Sequence, residues 1–113
     1  MTRIYVPATV GELSEWHTSA EIPASAFEDA YEAPDETEEG EYAALMSAAD
    51  ASAERLSGTG RRVVLVVDAN AAAPVPFREV LAVHADLADR PANADPDEDL
   101  GWFGIQEIPT LLG

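Results

Sequence analysis

The chain has no cysteine and no lysine, and only six basic residues, all arginine, against 22 acidic ones. Without cysteine there are no disulfides, no thiolate zinc sites and no cysteine nucleophile, a composition compatible with a reducing cytoplasm. The shortage of positive charge leaves no basic patch to attract phosphates, so direct nucleic-acid binding and attachment to an anionic membrane face are not expected. Long apolar runs are also missing: none approaches the ~18 residues of a membrane span. The start, Met-Thr-Arg-Ile-Tyr-Val-Pro, lacks the apolar core and cleavage site of a secretory signal. These absences predict a soluble cytoplasmic protein.

What is present is a net charge of -16 on a chain of 113 residues that is still 47% hydrophobic. That much apolar material excludes an entirely disordered acidic tail and predicts a single domain over residues 1–113. Abundant Ala, Asp, Glu and Arg without Lys is also what a GC-rich genome or salt adaptation writes onto a surface. More than half of the acids, however, fall in two tracts, Glu28 to Glu41 and Asp86 to Asp99.

Patterning predicts an α+β fold: a two-layer arrangement with a mixed sheet of four to five strands, packed by one long and one short helix. Arg3 to Val6 reads as a strand ended by Pro7. Thr9 with Glu12 forms a capping box for a short helix that places Val10, Leu13 and Trp16 or His17 on one side. Ala26 to Tyr31 reads as a second strand. From Glu38 to Ser57 a long helix is predicted, with Tyr42, Leu45, Met46, Ala49, Ala53 and Leu56 as its apolar stripe, acids at its N-terminal end and Gly58 as its C-cap.

The unbroken aliphatic run Val63 to Val67 reads as a central strand covered on both faces. Because two helices are too few to cover both, a homodimer is expected to supply the rest. Val80 to Ala85 is another strand, with a helix from Pro76 as the competing reading. Asp86 to Asp99 reads as a flexible acidic loop, and Leu100 to Ile108 as a last strand ended by Pro109.

The opening Arg3-Ile4-Tyr5-Val6-Pro7-Ala8-Thr9, the segment Glu41-Tyr42-Ala43-Ala44-Leu45-Met46, the pair Val83-His84, the close Trp102-Phe103, and Gln106-Glu107-Ile108-Pro109 together resemble an uncharacterised family of short proteins from high-GC Gram-positive bacteria. The resemblance covers most of the chain in order and implies no activity, cofactor or catalytic residue. Such proteins often carry a longer helical segment between the His84 strand and the final strand, where this chain has only the acidic loop.

Candidate chemistry is sparse. Asp68 follows the inner strand, where ligands gather in α/β sheets, although Asp68-Ala69-Asn70 is equally a self-capped turn. His84 and Asp86 alternate and would share a face, a spacing suited to a proton-transfer pair or two ligands of a metal. His17 can offset a helix dipole or cover the core rim. Gly58-Thr59-Gly60 leads into a strand, not a helix N-terminus, and so is no phosphate loop. The acidic loop lacks the glycine and distal glutamate of a calcium-binding hand.

Two functions follow. The favoured one is a small acidic, non-enzymatic interaction or regulatory module without a cofactor. It would engage a basic protein partner through Glu28, Asp29, Glu32, Asp35, Glu36, Glu38, Glu39, Asp97, Glu98 and Asp99, with Trp102 as an aromatic contact. The other is a small hydrolase or metal-dependent enzyme using His84, Asp86 and Asp68.

Overall fold

The computed structural model describes residues 3–56, 58–68, 74–91 and 93–112. In chain order these form β1 (Arg3–Ala8), α1 (Val10–Ser19), β2 (Glu21–Ile22), β3 (Tyr31–Glu32), α2 (Glu38–Glu54), β4 (Val63–Asp68), β5 (Val75–Pro76), β6 (Val80–Ala85), β7 (Gly101–Phe103) and α3 (Ile108–Leu112). Short 3₁₀ turns occupy Ala24–Phe27, Phe77–Glu79 and Ile105–Glu107. The turn expected at Asn70 lies outside the described residues, whereas the long helix expected to run to Ser57 with Gly58 as its C-cap ends at Glu54 with Arg55 as its cap.

Five strands make one sheet in the order β3-β1-β4-β6-β7, and β2 pairs with β5 in a separate ribbon. The fold is α+β, but every strand pair is antiparallel, not mixed. The chain between Ala8 and Val63 places one helix on each face and returns β4 antiparallel to β1, so no parallel crossover unit arises.

The two faces of β4 meet different elements. Val63, Leu65 and Val67 join Val6 and Ala8 in a core with Leu13 and Trp16 of α1, Ile22 and Val75 of the ribbon, and Ile108 and Leu111 of α3. Val64 and Val66, with Tyr5, pack against Ala44, Ala48 and Ala49 of α2. The sheet therefore has cover on both sides, where two layers were expected. All five residues from Val63 to Val67 are buried within this one chain, each contributing about 1.5–3 kcal/mol. The aliphatic run needs no second subunit, which removes the reason for expecting a homodimer.

Local chemistry explains the remaining boundaries. The Thr9–Glu12 capping box forms in both directions, at 3.1 Å each. β1 continues through Pro7 because β3 reaches only Ile4 and Tyr5, leaving β1 an edge strand there, where a missing donor is tolerated. Ala26 to Tyr31 is a 3₁₀ turn and a link into β3, not one strand. Helix α2 ends at Glu54, and its buried face is Gly40, Ala44, Ala48, Ala49 and Ser52. Tyr42 and Ala53, assigned to the apolar stripe, are exposed; small residues let the helix axis approach the sheet, and the larger ones border the contact. The last strand stops at Phe103, and Pro109 sits in the first turn of α3 instead of ending a strand. A proline is suited to that position because no N–H is needed there.

Candidate functional site

Register decides the fate of the His84, Asp86 and Asp68 set. In the β4–β6 ladder His84 lies opposite Val64, whereas Asp68 ends β4 opposite Arg3. Val64 and Asp68 are four residues apart on one strand, roughly 13 Å at about 3.3 Å per residue, beyond direct proton transfer.

Asp86 is committed elsewhere. Its Oδ2 accepts from the Arg62 backbone N–H and Nε, both at 2.9 Å, and its Oδ1 accepts from Nη2 at 2.8 Å. Arg62 is only 2% exposed, and its guanidinium also donates to the carbonyls of Pro96 and Glu98 at 3.2 and 2.8 Å. Burial pushes the Asp86 carboxyl up, but the hydrogen bonds and charge of Arg62, with a smaller contribution from Arg90, hold it below the usual range. The fork therefore has a mechanical role. It fixes both ends of the acidic loop to the start of β4, helped by paired backbone bonds between Gly60 and Arg90 at 3.1 and 2.9 Å.

The His84 side chain makes no hydrogen bond or ion pair among the described residues, and burial lowers its pKa, favouring the neutral imidazole. No group of three or more histidine, aspartate or glutamate side chains is placed to hold a metal ion among the described residues. His17 stands edge-on to Phe77, with ring centres 5.4 Å apart. That contact fits a cover for the core rim.

The acidic residues divide by task. Asp35 Oδ1 accepts from the Thr37 N–H at 3.0 Å and from its hydroxyl at 2.5 Å, while Thr37 Oγ1 accepts from the Gly40 N–H at 3.0 Å. The Thr37 bonds lower the Asp35 pKa. Gly40 makes room for this arrangement: a β-carbon there would come within 2.3 Å of Asp35 Oδ1, so the carboxylate would have to move off its bonds to Thr37. Glu41 pairs with Arg3 at 2.9 Å, and Asp29 and Glu12 share Arg55 at 3.3 and 2.5 Å. Glu98 lies 3.6 Å from Arg90. Glu28, Glu32, Glu36, Glu38, Glu39, Asp97 and Asp99 are exposed and have no arginine within ion-pair distance among the described residues. Arg3, Glu32, Asp35, Glu36 and Glu41 line an open cleft of about 490 Å³ beside the start of α2.

One contact joins the two tracts. The Tyr42 hydroxyl, at the start of α2, donates to Asp99 Oδ1 at 2.7 Å, across 57 residues of sequence. The Tyr42 pKa is raised first by that bond and also by the nearby charges of Asp99 and Asp97. Sequence patterning missed this link because Tyr42 was assigned to the buried stripe. A long aromatic among alanines, with acids before it, was the available signal.

Trp102 follows Asp99 closely and lies opposite His84 in the β6–β7 ladder. It therefore shares the sheet face of Val64, the face that carries α2. The helix packs chiefly on β1, β3 and β4, and Trp102, outside that cover, is 62% exposed. The tip of its ring reaches Gly104, where a β-carbon would meet Cη2 at 3.3 Å. Leu81, unpaired at the β6 bulge, adds a further exposed apolar side chain.

No helix among the described residues is long and apolar enough to cross a membrane. A model for a family of unknown function, DUF6912, matches residues 2–112. No curated protein and no solved structure matches the chain.

Proposed function

The chain belongs to that family of unknown function, and we propose from its own surface that it is a non-enzymatic interaction module holding a basic protein partner on an acidic face. The observation that carries this reading is the Tyr42–Asp99 hydrogen bond, which brings the end of the second acidic tract against the start of α2, where the first tract ends. Adjacent tracts add their fields, and such a field steers and orients a basic partner more than scattered charges do. Its site comprises the exposed carboxylates flanking Tyr42, above all Glu36, Glu38, Glu39, Asp97 and Asp99. Glu28, Asp29, Glu32, Asp35 and Glu98 belong to its border, where several already serve a cap or an arginine. We place the module in the cytoplasm, consistent with its lack of cysteine.

The enzymatic alternative has less support. Arg62 occupies both carboxylate oxygens of Asp86, and His84 and Asp68 are separated along the sheet. The test is capture on the immobilised protein from lysate of the source cell, repeated over a range of salt concentrations. A basic protein retained at low salt and lost steeply as salt rises is expected. Retention of only neutral or acidic proteins, or retention indifferent to salt, would overturn the reading.

A further inference from the structure

The acidic face includes one element that charge does not explain. Trp102 is a large aromatic side chain left 62% exposed on a sheet face whose other half is buried under α2. Scattered exposed apolar residues are ordinary, but this indole is exposed over most of its surface and the tip of its six-membered ring stands beside Gly104, which has no side chain to cover it. Asp99 lies on the same side, since its carboxylate reaches Tyr42 of α2, and Asp97 is close enough to act on the same hydroxyl. Neither has an arginine within ion-pair distance among the described residues.

We infer that Trp102, on the same side of the sheet as the Asp99 carboxylate, is the anchor for an arginine side chain in an arginine-rich segment of a protein partner. This rests on the reading of the chain as a module for basic partners and names the chemistry of its contact. A guanidinium stacks on an indole face while its N–H groups fork to carboxylates, a combination that lysine's compact ammonium matches less well. A second copy of the chain fits poorly, because two faces carrying Asp97 and Asp99 on molecules of net charge -16 would repel. A neutral apolar partner would have to desolvate those carboxylates without compensation.

The test is titration of the full chain with a synthetic peptide of alternating arginine and glycine, using lysine–glycine and glutamine–glycine peptides as controls. Trp102→Ala should weaken the arginine peptide by about three- to tenfold and the lysine peptide by less, while Trp102→Phe retains part of the affinity. Asp97→Asn/Asp99→Asn should weaken binding and flatten its salt dependence. Indole fluorescence should respond to the arginine peptide, with the response lost in Trp102→Phe; Trp16 is buried and remains as the internal reference.

If Trp102→Ala binds the arginine peptide as well as the unaltered chain does, the anchor is wrong, although an acidic face for basic partners survives. If no arginine or lysine peptide binds even at low salt, that broader reading falls with it. Equal binding of the glutamine peptide would overturn the choice of partner chemistry. So would a concentration-dependent dimer that Trp102→Ala dissolves, which would assign the face to a second copy.

Discussion

Asp86 and Arg62 are each almost fully buried, so the cost of separating them is set by the charge left behind. Asp86→Asn keeps the volume but leaves a buried guanidinium without its main counter-charge, and should lower unfolding free energy by about 3–5 kcal/mol in urea titration. The pH dependence has a definite sign. The Asp86 pKa is lowered in the fold, so its stabilisation is full above the unfolded value of about 3.9 and is lost as pH falls through that value toward the folded one. His84 acts in the same direction at higher pH: burial lowers its pKa in the fold, so as pH falls below about 6.5 the unfolded chain takes up this proton more readily than the folded one. Between pH ~5 and ~3 the unaltered protein should therefore lose more stability than Asp86→Asn, which has no carboxylate at this position to titrate. An equal loss in both would remove Asp86 as the acid-sensitive group. Ser52 carries a second buried polar contact. It donates to the Ala8 carbonyl at 2.6 Å and accepts from the Val63 N–H at 2.8 Å, tying α2 to the end of β1 and the start of β4. Ser52→Ala strands both backbone groups and should cost about 1–3 kcal/mol in the same titration.

Helix α2 shows which part of an element its own residues encode. Its existence, its acidic first turn and its Thr37 cap follow from local chemistry, as does the α1 capping box, because partner and donor are three residues apart. Its buried face does not. Most alternatives along this alanine-rich helix are small and similar in hydrophobicity, so the stripe read through Tyr42, Leu45, Met46, Ala49 and Ala53 is right at Ala49 and in part at Leu45, while the requirement for close approach turns Tyr42 and Ala53 outward and brings in Ala44, Ala48 and Ser52. The distinction is measurable. Ala48→Leu should destabilise by about 1–3 kcal/mol through overpacking against the sheet, whereas Ala53→Leu, on the exposed side, should stay within about 0.5 kcal/mol. The reverse order would restore the stripe read from the sequence. The Arg62–Asp86 fork was within reach of the same reasoning one level higher. Arg62 directly precedes one strand and Asp86 directly follows the other, so antiparallel pairing of Val63 with Ala85 sets the two opposite each other. Recognising it required the register, which no local pattern supplies.

At the scale of the whole molecule, the aliphatic run Val63 to Val67 announced its double burial, but not what buries it. Cover on one face comes from α1, the β2–β5 ribbon and α3, which are distant in sequence and individually short, so only their joint packing reveals the layer. The acidic surface was legible from composition, and the adjacency of its two tracts was not, because it depends on Tyr42 leaving the core. Net charge has its own consequence for the fold. The radius of gyration is 13.0 Å, and at ~0.01 M salt the screening length of about 30 Å exceeds it, so carboxylates across the molecule repel one another. Raising salt to ~1 M shortens that length to about 3 Å and silences all but neighbouring pairs. The buried Arg62–Asp86 pair is shielded from this change, whereas the exposed Arg3–Glu41 and Arg55–Glu12 pairs each have little to lose. Screening should then remove more repulsion than attraction, and the thermal midpoint at pH 7 should rise with sodium chloride. Asp97→Asn/Asp99→Asn should start from a higher midpoint at low salt and rise less, since part of the repulsion is already gone. A midpoint that falls with salt in the unaltered chain would mean that attractive surface pairs outweigh the repulsion implied by a net charge of -16.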